Sequence, residues 1–239
     1  MEKIKTIFRG ELSKRALTHQ LIPLTIGGFS LFLIIARILF PYDPAYPYYW
    51  TTSMISRMGI PHQSPIGWIF FSAAFIWLGV FLLPLVPYTY KRFSKINEKW
   101  AKIIAIFMIG PFICNILIGA IPNFLPKIFR IIHALNGVVA FQGIFLMAFL
   151  SLIFILYHQK QGSNVFSRKL MLINGIILIY GFICSLLVLV FMEQNPDGYF
   201  MYVPGTPLLA SAPFWEWQGF VSLLCLIVTL SFIIPEKID

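Results

Sequence analysis

The chain has 239 residues, of which 59% are hydrophobic and 11% charged, against about 25% charged residues in soluble domains. Apolar runs of membrane-crossing length recur, with no polar stretch long enough to form a separate domain, so soluble classes are excluded and one integral membrane domain is expected. The formal charge of +9 collects in loops on one side of the bilayer, which sets nucleic-acid binding aside.

Residues 1–20 hold Lys3, Lys5, Arg9, Lys14 and Arg15, with Ile4, Ile7, Phe8 and Leu12 at helical spacing. A short amphipathic helix on the inner surface and a disordered basic tail both fit. No small-residue cleavage site follows the first apolar run, which therefore reads as a retained helix. Six spans are predicted, at 21–40, 66–88, 102–121, 131–157, 170–192 and 214–234, followed by a short tail over 235–239. The fold class is all-α, a polytopic bundle of six transmembrane helices.

The positive-inside rule orients the bundle. The N-terminal segment, the connection after span two (Lys91, Arg92, Lys95, Lys99, Lys102), the one after span four (Lys160, Arg168, Lys169) and Lys237 place fourteen basic residues on one side. The other side has Arg57, Lys127 and Arg130, with Arg37 near the end of span one. Both termini are expected in the cytoplasm and, in a prokaryote, the chain in the cell membrane.

The outer loops 41–65 and 193–213 are long and rich in Tyr, Pro and Gly, and sites usually lie in such loops. Tyr42, Tyr46, Tyr48, Tyr49, Trp50, Trp215 and Trp217 lie in or beside them, as an interfacial aromatic belt or as a surface for a lipid headgroup. Within the spans, Gly110 and Pro111 predict a kink in span three. His133, Gly137, Ala140, Ile144, Met147 and Ser151 make a small and polar stripe suited to close packing of span four. No internal repeat of the transporter type is found.

Ionisable groups at membrane depth are costly and so are candidates for function. Arg37, His133 and Glu216 fall within roughly 5 Å of one boundary at 1.5 Å rise per residue, and Arg57 could reach it. His133 could act as a base oriented by Glu216. More simply, His133 could donate to a backbone carbonyl while Glu216 pairs with Arg37 or Arg57. Asn115, Asn136, Gln142 and Asn174 read as interhelical hydrogen-bonding groups, with Asn115 alternatively beside an outer cavity. Glu193 and Asp197 read as solvated acids of an Asn-Pro-Asp-Gly turn. Cys114, Cys184 and Cys225 all lie in apolar runs, so disulfide and zinc chemistry lack a motif. HExxH, GxSxG, Walker and EF-hand patterns are missing, two outer histidines cannot make a three-His site, and no helix carries a pore-lining polar row. No metal or cofactor is implied.

Ile55-Ser56 followed by Gly59, Tyr90-Lys91-Arg92 after span two, His133 with Gly137 and Phe141, and Glu216-Trp217 resemble the DRAM/Frag/Sfk family and a related prokaryotic six-helix family of unknown function. The resemblance covers nearly the whole chain. It implies six helices, cytoplasmic termini and a role connected with membrane lipid, since members of the eukaryotic family include autophagy modulators, a factor in GPI-anchor remodelling and regulators of phosphatidylinositol kinase. It carries over Ser56, Gly59, His133, Glu216 and Trp217, without a catalytic role for any of them. Arg57 departs from the pattern, standing where family members often have an acidic residue.

The expected function is binding or organising a lipid headgroup at an outer-leaflet layer of Arg37, Arg57, His133, Glu216 and Trp217, roofed by loops that carry Tyr49 and Trp50. A phosphate or carboxylate head would suit the two arginines. One alternative is a lipid-modifying acyl transferase or hydrolase using His133 and Glu216. Another is a scaffold presenting its basic cytoplasmic face to anionic lipid or to a protein partner whose identity the sequence does not give.

Overall fold

A computed structural model of the chain describes residues 6–7, 9–41, 48, 53–121, 127–161, 165–194 and 207–236. Six helices account for nearly all of these: α1 Lys14–Ile38, α2 Gly67–Phe93, α3 Glu98–Ala120, α4 Lys127–Lys160, α5 Arg168–Gln194 and α6 Ala212–Ile233. Each is long and apolar enough to cross a bilayer, and no strand is present among the described residues. The protein is a multi-pass, all-α membrane bundle. Of the N-terminal apolar spacing, residues 6–7 are helical, while Ile4 and Phe8 lie outside the described residues.

The helices overrun the apolar stretches that predict them, because backbone hydrogen bonding continues into the polar boundary where side-chain caps end it. Ser13 Oγ accepts from the Ala16 N–H at the start of α1, and Asn97 Oδ1 accepts from the Trp100 N–H at the start of α3. Prolines mark the irregular points. Pro23 has no N–H to offer the carbonyl four residues back, and α1 widens into a π turn over Leu17–Leu21 just ahead of it. Pro84 divides α2 into Gly67–Leu82 and Leu85–Phe93. Pro111 lies within the continuous α3, its ring facing Gly143 of α4.

Lipid tails are as apolar as leucine, so the helices associate through close packing. Gly79 and Gly119 bring α2 and α3 together backbone to backbone: a Cβ on Gly79 would meet the Phe112 carbonyl, and one on Gly119 the Ser72 carbonyl. Of the predicted stripe of α4, His133, Ala140, Ile144, Met147 and Ser151 are enclosed, whereas Gly137 is half-buried and a Cβ there would meet nothing within 4 Å. α2 and α6 are the most covered helices. α5 rests mainly on α6 and only lightly on α4.

At the end of the bundle that carries the lysine-rich connections, here the basic end, Arg92 is buried. Its guanidinium donates to the carbonyls of Gly10, Leu12, Tyr88 and Pro235 at 3.0–3.1 Å and lies 3.4 Å from the centre of the Tyr88 ring. One planar cation thus ties the chain ahead of α1 and the chain after α6 to the end of α2. Lys14 Nζ adds a bond to the Phe232 carbonyl of α6. Arg92 is therefore not part of the exposed basic face, whereas Lys91 is exposed and pairs with Glu11 at 3.2 Å.

Arg92→Ala removes the donor of four carbonyls and is expected to cost about 2–4 kcal/mol. Arg92→Lys should recover only part of this, since an ammonium lacks the fork. Lys91→Ala should stay within about 0.5 kcal/mol. Thermal unfolding in one detergent compares the three.

Candidate functional site

At the opposite end, here the loop end, the chain after α1 folds into a compact knot around a 3-10 turn, Ile55–Gly59. Arg57 sits inside it at 2% exposure. Its Nε donates to Gln63 Oε1 at 3.0 Å and its Nη1 to Ser53 Oγ at 3.3 Å, with the Phe40 ring 5.4 Å away. Arg37 donates from Nη2 to the Tyr48 carbonyl at 2.8 Å and lies 5.2 Å from the Tyr48 ring. The Tyr48 ring packs against that of Phe40 at 4.9 Å, tilted by 47°, and its hydroxyl donates to the Met54 carbonyl at 3.3 Å. Burial and the carboxyl of Glu216 push the Tyr48 phenol above its ordinary pKa, against the pull of Arg37 and Arg57. Gly59 lets the turn lie on Phe71, since a Cβ there would come within 2.5 Å of that ring.

The knot is fastened to α6 by two bonds. The Ile55 N–H donates to Glu216 Oε2 at 2.7 Å, and Trp217 Nε1 donates to the Ser53 carbonyl at 2.9 Å. Ile55-Ser56 and Glu216-Trp217, far apart in sequence, therefore meet directly. Glu216 forms no ion pair among the described residues; its partner is an amide, and its second oxygen is left without a protein partner there.

Beneath the knot, α2, α4, α5 and α6, with Ile118 of α3, surround a cavity of about 690 Å³, within the usual range for small-molecule sites. Its polar groups are Ser56, His133, Gln142, Ser185 and Glu216; Phe71, Phe75 and Phe141 supply much of its apolar wall. His133 Nδ1 lies 2.9 Å from the Ile121 carbonyl. A carbonyl only accepts, so Nδ1 carries the proton, and in the neutral ring Nε2 keeps its lone pair. On α4 the lining runs from Ile131 to Gln142, about 16 Å along the axis and close to half of a hydrocarbon core about 30 Å thick. Two lining residues, Val138 of α4 and Leu189 of α5, are 60% and 61% exposed. The cavity is thus open where α4 and α5 touch only lightly, about 10 Å along α4 from Ile131.

Of the candidate site residues read from sequence, His133 and Glu216 line this one cavity, as do Ser56, Gly137, Phe141, Gln142 and Trp215, which the sequence marks on other grounds. Arg37, Arg57 and Trp217 do not line it; their donors hold the knot that forms its end. Tyr49 and Trp50 lie outside the described residues, as do Tyr42, Tyr46 and Asp197, and nothing is described of the side chains of Lys127, Arg130 and Glu193. Asn174 Nδ2 bonds Thr229 of α6 at 2.6 Å as an interhelical amide should, whereas Asn115 turns back to the Pro111 carbonyl of its own helix at 2.8 Å. Ser185 was not singled out, because a lone serine in an apolar run carries no signal until a cavity forms beside it. Among the described residues no three of His, Cys, Asp and Glu come together as metal ligands.

Two outcomes follow from the knot. Glu216→Ala leaves the Ile55 N–H unpaired and should cost about 1–3 kcal/mol, while Glu216→Gln keeps an acceptor and should recover most of it in the same melting assay. Because Tyr48 holds its proton in the folded state at a pH where an unfolded tyrosine loses it, its contribution is complete below about pH 10 and is lost as pH rises above that. Tyr48→Phe should therefore lose less stability than the unaltered protein between about pH 9 and pH 11. Compared with known proteins, the chain matches no family, no curated protein and no solved structure.

Proposed function

We propose that the protein binds one membrane lipid in the cavity under the knot, its head beside His133 and Glu216 and its chain along Phe71, Phe75 and Phe141. The observation that carries this reading is the opening between α4 and α5 at bilayer depth. A ligand entering past Val138 and Leu189 comes from the lipid phase, and the lining beyond them is mostly apolar. The depth of the cavity is that of one leaflet. With the basic end in the cytoplasm, as the positive-inside rule requires, that leaflet is the outer one and both termini are inside the cell. The lipid connection of the DRAM/Frag/Sfk family points the same way. In this reading Arg37, Arg57 and Trp217 shape the end of the site, and no protein partner is needed for binding.

A second reading, hydrolysis or acyl transfer on the bound lipid, is favoured by one feature: His133 and Glu216 share the cavity, and His133 Nε2 is a base without a partner among the described residues. Turnover of radiolabelled lipid that disappears in His133→Ala would establish it.

Gly137 lines the cavity, and a Cβ at that position meets nothing within 4 Å. Gly137→Phe should therefore fill the cavity without disturbing the helices, and removing a glycine from a helix gains about 0.5–1 kcal/mol. Native mass spectrometry is expected to find lipid on the unaltered protein and none on the folded variant. Equal lipid on both would refute a site in this cavity.

A further inference from the structure

We infer that the head of this lipid is a hydrogen-bond donor without net negative charge, a hydroxyl or an ammonium group. The inference rests on the lipid-binding reading and adds the chemistry of the ligand. The ionisable groups of the cavity present acceptors, while Gln142, Ser56 and Ser185 can donate as well as accept. Glu216 spends one oxygen on the Ile55 N–H and has no other partner among the described residues. His133 spends its N–H on the Ile121 carbonyl, so the neutral ring faces a ligand with a lone pair. Ser56, also lining the cavity and without a partner among the described residues, can accept as well as donate.

Cations are missing from this lining: no lysine or arginine is among the described residues that form it. Arg57 is enclosed by the knot with Gln63, Ser53 and two aromatic rings, and Arg37 is bonded to the Tyr48 carbonyl, so both guanidinium groups among the described side chains at this end bond the loop. A phosphate entering the cavity would place a second acidic group beside Glu216 at a depth where water cannot screen it. A hydroxyl would pair with the waiting acceptors. An ammonium group would in addition compensate the carboxyl. Unpaired acceptors of this kind discriminate strongly against a ligand that lacks the donor.

The test uses the full chain in a neutral detergent and four probes: dioleoylglycerol, sphingosine, oleic acid and dioleoyl phosphatidic acid. Binding is read by native mass spectrometry. Dioleoylglycerol or sphingosine should bind at least about tenfold more tightly than either acid, and the order of those two separates a hydroxyl from an ammonium head. Glu216→Gln should weaken sphingosine more than dioleoylglycerol, and His133→Phe should weaken both. The panel needs no variant, so poor folding of either substitution does not blunt it. Phosphatidic acid binding as tightly as the neutral probes would overturn the inference while leaving the lipid site standing, most clearly if Lys127→Gln with Arg130→Gln abolished it. Failure of every probe, with Gly137→Phe indistinguishable from the unaltered protein, would overturn the lipid reading itself.

Discussion

A backbone N–H at the edge of a bilayer has to find an acceptor, and in this protein the amide of Ile55 finds the carboxyl group of Glu216. That bond fixes the height of the loop turn on α6, and with it the end of the cavity. The carboxyl group also gains a reason to be where it is. An acid in the first turn of a membrane helix is expensive unless something donates to it, and the amide does so while leaving one oxygen over. The same residue therefore closes the fold and opens the chemistry. The indole of Trp217, bonded to the Ser53 carbonyl one turn of chain away, prevents the loop from pivoting about the single Glu216 contact.

At each end of the bundle one arginine, Arg92 or Arg57, is taken off the surface. Arg92 gathers four carbonyls from three separated segments. Arg57 and Arg37 gather oxygen acceptors and rings within the knot. Backbone carbonyls at helix ends and in turns are acceptors without partners, and a guanidinium has five donors in one plane. A buried arginine is thus a compact way to satisfy irregular chain where a bilayer stops supplying water. It also means that counting basic residues at each end overstates the charge offered to a ligand or partner.

The helical architecture was legible because apolar runs of about 20 residues have few alternatives in a membrane protein. The buried face of α4 was legible because small residues recur at spacings of three and four, which is the period of the helix. His133 and Glu216 stood out as ionisable groups at one depth, and the cavity joins them. What composition and spacing do not encode is partner choice. Asn115 looked like an interhelical amide and bonds the Pro111 carbonyl of its own helix. Arg92 looked like one more cytoplasmic charge, and only the folding back of both chain ends onto α2 makes it a buried staple. The cavity itself has no linear signature, since its walls come from five helices and a loop.

The location of Arg57 decides what its charge acts on. If it faced the cavity, it would favour an anionic ligand. It instead lies within the knot at 2% exposure, with its donors on Gln63 and Ser53. Its charge is felt chiefly by Tyr48, whose neutral phenol it faces together with Arg37. Arg57 therefore sets how the loop is held rather than what the cavity accepts. The ionisable groups of the cavity are Glu216 and His133. A chain can in this way exchange the charge of a loop residue while preserving the polarity of the pocket beneath it, because the Ile55 amide, and not a side-chain ion pair, connects the two.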